Sequence, residues 1–140
     1  ARVRDSFARQ SAMGLIGARL TLVEPGRCEI ELPVRGDLQQ QHGFVHGGVV
    51  GMIADSAGGY SAFTLMPADA SVLTVEYKIN MLAPARGERL IARGEVLKPG
   101  RTMSIVRADV FAVAGGRETC VAATQQTLMV MHGMDDGARV

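Results

Sequence analysis

Fourteen residues, Gln41 to Ala54, read Gln-His-Gly-Phe-Val-His-Gly-Gly-Val-Val-Gly-Met-Ile-Ala, and Asp55 follows directly. A polar, glycine-rich turn passes into an apolar stretch at helical spacing, opened by His46, Gly47 and Gly48. The first N–H groups of a helix have no partner within it and sit at its positive end. They attract an oxyanion or a polarised carbonyl. The Gly-Gly pair keeps side chains away from them. Two turns on, Asp55 is a lone carboxylate in an uncharged segment. An electrophile-binding helix start followed by an isolated acid points to acyl chemistry.

Each of these residues also has a plainer reading. An aspartate inside a helix can simply bond a neighbouring backbone group, yet Asp is a poor helix former and is rarely buried unpaired. An ordinary aspartate titrates near ~3.9 and is a weak base at neutral pH. Burial must therefore raise it, or it attacks as a nucleophile; both mechanisms stay open. His46 is a general base or a helix cap, with the cap favoured by its place at the helix start. His42, His46 and Asp55 form a nominal metal set, but Gly43 works against a shared helical face, and no metal or other cofactor is expected.

The elements that must position these groups follow from composition and pattern. The chain has 140 residues, 47% hydrophobic and 4% aromatic, with seventeen glycines and no Trp. That is one domain with an aliphatic, Ala- and Met-rich core. A net charge of +1 offers nothing to nucleic acid, and no apolar run approaches the ~20 residues of a membrane span. The charged opening Ala1-Arg-Val-Arg-Asp5 lacks the apolar core of a signal peptide, so a cytoplasmic protein is expected, with Cys28 and Cys120 as reduced core thiols.

Phe7, Ala8, Ser11, Ala12, Leu15 and Ile16 predict a short N-terminal helix over 6–16, ended by Gly17. Strands are expected over 18–24 and 28–34, then a loop over 35–45. A long helix from about His46 to Met66 stops before Pro67. Four strand-like runs follow, over 71–82, 86–98, 102–114 and 118–131, joined by short turns as a meander. A flexible tail is expected over 132–140. The order predicts an α+β fold with an antiparallel sheet wrapped around one long helix. On a helical wheel Val49, Val50, Ile53, Ala57, Tyr60 and Thr64 share one side, while Gly51, Asp55, Gly58, Gly59 and Ala62 share the other. Glycines there let another chain or a thin ligand approach the backbone beside Asp55.

The His46-Gly47-Gly48 helix start, Asp55 nine residues after the histidine, and the following strand Thr74-Val-Glu-Tyr-Lys-Ile-Asn-Met-Leu-Ala-Pro84 resemble the hotdog-fold acyl-CoA thioesterases, nearest the phenylacetate-pathway (PaaI-like) type. The likeness runs from about Gly17 to Met131. It implies a hotdog domain over 17–131 with five to six strands around the central helix, and an acyl-CoA hydrolase. It also implies a homodimer, paired again into a homotetramer, with active sites at the dimer interface. By position, Asp55 is the carboxylate that activates water or attacks the thioester, and the Gly47 N–H is the oxyanion donor. Gln40 stands where relatives commonly have an Asn that holds the water. Thr74 stands where they place a hydroxyl across the interface. Gly48, His42, Ser56, Gly59, Asn80 and Arg101 are the expected substrate contacts.

On pattern alone, Thr74 falls on the polar side of its strand with Glu76 and Lys78. Lys98, Arg101, Arg86 and Arg89 near turns are candidates for the CoA phosphates, and Met52, Met66 and Met81 for an adaptable acyl pocket. Two other functions fit the same fold. A hydratase or dehydratase would use His46 and Asp55, although the His-Phe-Pro-Gly context usual for such enzymes is absent. A non-catalytic acyl-CoA-binding module is the other, since fold does not fix function.

Overall fold

A computed structural model describes residues 1–134, 136 and 137. Two short helices, α1 (Arg2–Arg9) and α2 (Ser11–Ile16), precede strands β1 (Arg19–Glu24) and β2 (Arg27–Pro33). A 3-10 turn at Gly36–Leu38 leads to the long helix α3 (Gly47–Phe63). Strands β3 (Ala70–Met81), β4 (Arg89–Lys98), β5 (Met103–Ala114) and β6 (Arg117–His132) complete the chain. All pairings are antiparallel in one six-stranded sheet of order β1-β2-β4-β5-β6-β3. The sheet curls around α3, which is the hotdog arrangement.

Three details depart from the sequence expectations. The N-terminal helix is broken at Gln10, whose backbone is extended (φ −75°, ψ 93°). The break lets the two halves serve different parts of the core. Val3 of α1 packs in the cluster around Tyr60 and Phe63, while Met13 and Ile16 of α2 pack with Ile53, Leu90 and Val110. The long helix ends at Phe63 rather than Met66. The amides of Leu65 and Met66 bond the carbonyls three residues back, tightening the last turn ahead of Pro67. The last four strands are not a simple meander either. β4, β5 and β6 are, but β3 crosses to the far edge and pairs with β6.

Helix α3 is covered on nearly every side: Val50, Ile53, Ala57 and Tyr60 are buried, and so are Gly51, Gly58, Gly59 and Ala62. The expectation that another chain or a ligand approaches the whole glycine side therefore fails at two positions. A methyl at Gly51 would lie 3.2 Å from the Tyr77 hydroxyl, and one at Gly58 would lie 1.7 Å from Gln126 Oε1. The chain's own sheet fills both places. From the other side, Gly94 of β4 approaches so closely that a methyl there would lie 2.2 Å from the Ala57 carbonyl oxygen. Only at Gly59 is the space open, with nothing within 4 Å.

β3 is an edge strand interrupted by a bulge. Thr74 pairs with Leu128 and Glu76 with Thr127, so Val75 is the extra residue. The bulge reverses which residues face the helix. Before it, Thr74 reaches Asp55; after it, Tyr77, Ile79 and Met81 face inward, against Gly51, the main core and Gly47. Glu76 turns away to Thr127, and Lys78 to Asn80. Thr74 is thus not on the side of Glu76 and Lys78, as strict alternation predicts. Leu73, Val75, Tyr77 and Met81 stay exposed at 56, 54, 44 and 51% along this edge.

Of the expected tail, His132 is the last residue of β6 and Asp136 accepts hydrogen bonds from Arg9 and Ser71. Residues 135 and 138–140 lie outside the described residues.

Candidate active site

Asp55 sits in the third turn of α3, part-buried, with its carboxylate held from the sheet. Thr74 Oγ1 of β3 donates to Oδ1 at 2.7 Å, and Gln126 Nε2 of β6 donates to the same oxygen at 2.7 Å. Gln126 Nε2 also donates to the Asp55 backbone carbonyl at 3.3 Å. Oδ2 has no partner among the described residues. Both residues of the Thr74 bond belong to the same chain.

Beside this carboxylate is a cavity of about 410 Å³, lined among others by Asp55, Ser56, Gly59, Tyr60, Thr74 and Arg9. Gly59 follows Asp55 by one turn and leaves the cavity wall without a side chain. Deeper in, the Tyr60 hydroxyl and Ser6 Oγ share a hydrogen bond of 3.1 Å, and burial pushes the Tyr60 phenol above its usual range. The size suits a drug-sized or acyl ligand.

The start of α3 is a second, separate feature. The loop before it is a tight turn in which Gly43 N–H donates to the Gln40 carbonyl, with Gly43 at φ 82°. His46 is the helix cap: its Nδ1 accepts from the Gly48 N–H at 2.8 Å, and its carbonyl accepts from Val49 and Val50. Capping engages the Nδ1 lone pair with the backbone of the helix's own first turn. Gly48 is likewise taken, and Gly47 is left as an N–H with no partner among the described residues. The Met81 side chain lies beside it, since a methyl at Gly47 would be 3.1 Å from Met81 Cε. Gln40 turns its Oε1 back onto the amides of His42 and Phe44, leaving Nε2 unpartnered among the described residues.

The structure brings Asp55, Thr74, Ser56 and Gly59 together at one cavity, and Gly47, Gly48, His46, His42 and Gln40 together at the helix start. It does not merge the two groups. Asp55 lies eight helical steps beyond Gly47, roughly 12 Å along the axis. One carbonyl cannot lie about 3 Å from both. Asn80 faces away and accepts from Lys78 Nζ at 2.6 Å. Arg101 lies past the other end of α3, where its carbonyl meets His132 Nε2 at 2.7 Å. Arg86 and Arg89 stand at one end of β4 and Lys98 and Arg101 at the other, so these four bases do not form one patch. Met66 belongs to the buried core and Met52 packs against it.

Gln126 is the residue that sequence reading missed. Its signal is present in β6, where Ala122, Thr124, Gln126, Leu128 and Val130 alternate as the buried side. A glutamine in a run of small and apolar inward positions is out of place unless it has a polar task.

The chain is similar to several known proteins. A relative from Saccharolobus solfataricus is 34% identical over 95 residues, 68% of this chain and 66% of its own length, so the chain spans about two thirds of it. The 1,4-dihydroxy-2-naphthoyl-CoA hydrolase of Listeria monocytogenes is 29% identical over 96 residues, covering 66% of this chain and 78% of its own. A thioesterase family protein from Silicibacter pomeroyi superposes with a TM-score of 0.93 at 50% identity, over 94% of this chain and 97% of its own. The PaaI protein of the E. coli phenylacetic acid degradation operon shares the fold, with a TM-score of 0.85 at 16% identity over 96% and 94% of the two chains. The family model described as the thioesterase superfamily matches residues 42–119, from the loop before α3 into β6. With its helix-borne carboxylate, capped glycine start and wrapped sheet, this chain belongs to the thioesterase superfamily of hotdog-fold proteins.

Proposed function

We propose that the protein hydrolyses an acyl-CoA thioester to the free acid and CoA, and that it does so as a homodimer. The observation that carries this is the Asp55 carboxylate, held at one oxygen by two donors and left open at the other, on the wall of a ligand-sized cavity. Oδ2 is the atom that takes the proton from water or attacks the carbonyl carbon. The tetrahedral oxyanion then needs a donor, and the unpaired Gly47 N–H at the positive end of α3 has that character.

The roughly 12 Å between donor and acid in one chain is the reason for a second copy, which supplies the missing half-site. The exposed apolar edge of β3 supports the same reading. A long unpaired edge carrying Leu73, Val75, Tyr77 and Met81 invites pairing with another strand. Pairing of dimers into a tetramer and a cytoplasmic setting are part of this reading. The acyl group occupies the cavity beside Gly59, which fits a small aromatic or medium-chain acid; the naphthoyl-CoA hydrolase among the relatives has an aromatic acyl substrate by its name.

The test is thiol release from a panel of acyl-CoAs, from acetyl through decanoyl to benzoyl, phenylacetyl and hydroxyphenylacetyl, with wild type and Asp55→Asn in parallel. Turnover in the wild type should fall by roughly 10²–10⁴-fold in the variant. Equal turnover by the two proteins would remove Asp55 from the chemistry. Hydration of crotonyl-CoA without thiol release would favour the hydratase reading, against which the engaged His46 ring speaks.

A further inference from the structure

We propose that Gln126 is a positioning residue for Asp55, holding Oδ1 and the Asp55 main chain with its buried amide so that Oδ2 alone meets water or the thioester. The inference rests on Asp55 being the reacting acid and assigns the residue that orients it.

Gln126 Nε2 donates to Asp55 at two points, the side-chain oxygen at 2.7 Å and the backbone carbonyl at 3.3 Å. This grips the carboxylate relative to its own helix, which a bond to Oδ1 alone does not do. Thr74 adds a second donor to the same oxygen from a different strand. Oδ1 therefore accepts two hydrogen bonds from the sheet, and both favour this orientation of the carboxyl plane over the flipped one. The amide orientation is dictated by these partners. Turned over, its Oε1 would face two acceptors.

The arrangement is costly for stability, which argues against a purely structural role. Gln126 is 1% exposed, and its Oε1 is a buried acceptor with no hydrogen-bond partner among the described residues. A buried amide with an orphaned carbonyl is less favourable than an apolar side chain of the same shape. The helix also gives up a side chain to admit it, because a methyl at Gly58 would lie 1.7 Å from Oε1 and 2.8 Å from Cδ. Two separate costs, a helical glycine and an unpaired carbonyl, converge on one contact whose product is the orientation of Asp55.

The experiment compares wild type, Gln126→Met, Gln126→Glu and Asp55→Asn on the acyl-CoA that turns over fastest in the panel. It reads kcat, KM and the pH profile of kcat/KM, with circular dichroism as the check on folding. Gln126→Met keeps length and packing but removes the donor. We expect kcat to fall roughly 10- to 100-fold with KM within about twofold. The acid limb of the profile should move to higher pH, because a donor favours the ionised carboxylate and its loss makes protonation easier. Gln126→Glu keeps the shape and sets a second carboxyl against Oδ1, so its acid limb should move up further. If Gln126→Met fails to fold, Gln126→Glu decides by the same two readouts. A lower kcat with an unmoved acid limb would reduce Gln126 to packing and overturn the proposal, as would an unchanged profile in a folded variant. If Asp55→Asn retains full turnover, the reading beneath it fails instead.

Discussion

Gly94→Ala tests the close approach of the sheet to the backbone of α3. Gly94 pairs with Cys28 on β2 and Ala108 on β5, in the middle of the sheet where it crosses α3. The added methyl would lie 2.2 Å from the Ala57 oxygen, 2.5 Å from its carbonyl carbon and 2.8 Å from the Gly58 nitrogen. All three are backbone atoms, so no side chain can swing aside. Restoring an ordinary contact requires strand and helix to part by roughly 1 Å. Overpacking of this kind costs about 1–3 kcal/mol. Against it, alanine stiffens the unfolded chain and returns about 0.4–1 kcal/mol. The net expectation is a loss of about 1–2 kcal/mol, or a fall in Tm of roughly 3–8 °C for a domain of this size. Gly14→Ala is the matched control, because Gly14 lies in α2 with nothing within 4 Å of an added methyl. There only the helical preference remains, and stability should rise by about 0.5–1 kcal/mol. Thermal unfolding followed by circular dichroism measures both. A Gly94→Ala protein melting at or above the wild-type temperature would refute the steric argument, and equal losses in both variants would show that the contact distances decide nothing.

Two further outcomes follow from other parts of the molecule. Val75→Lys places a charge at the bulge of the exposed β3 edge. On the proposed assembly, gel filtration should show a particle of half the wild-type mass, and turnover should drop by roughly 10²-fold or more with Asp55 untouched, because each half-site would lose the other copy's oxyanion donor; an active variant of wild-type mass would contradict the edge pairing. Cys28 is fully buried, and burial pushes its thiol from its ordinary 9.0 up to about 12. The folded chain thus keeps this proton where the unfolded chain has lost it. The Cys28 contribution to stability is constant below about pH 9.0 and declines as pH rises toward about 12. Folded protein at pH 8 should leave Cys28 unreacted with a thiol reagent, and mass mapping of a Cys28 adduct under those conditions would count against it.

The α+β class and the helix carrying Asp55 were readable because their signals are local: apolar spacing over Val49–Ile53, the Gly47-Gly48 start and the Pro67 stop. What was not readable depends on distant partners. The bulge at Val75 leaves no mark in composition, yet it decides that Thr74 faces the helix while Glu76 does not. The glycines of α3 signalled close approach correctly, but not that Tyr77 and Gln126 of the same chain would make it. The placement of β3 beside β6, rather than β4, was likewise invisible, since short turns between successive runs imply neighbours.

That placement has a consequence for how the protein is made. Asp55 and Thr74 are translated early, but Thr74 lies on a strand whose neighbour is the last strand of the sheet. The second donor to the carboxylate, Gln126, belongs to that same last strand. A nascent chain carrying every other feature of the site therefore holds an unoriented carboxylate until β6 has left the ribosome and closed between β5 and β3. Loop closure over such a distance is slow compared with local hairpin formation. The oriented carboxylate is thus a late product of folding, and partly synthesised chains have the acid without its cradle.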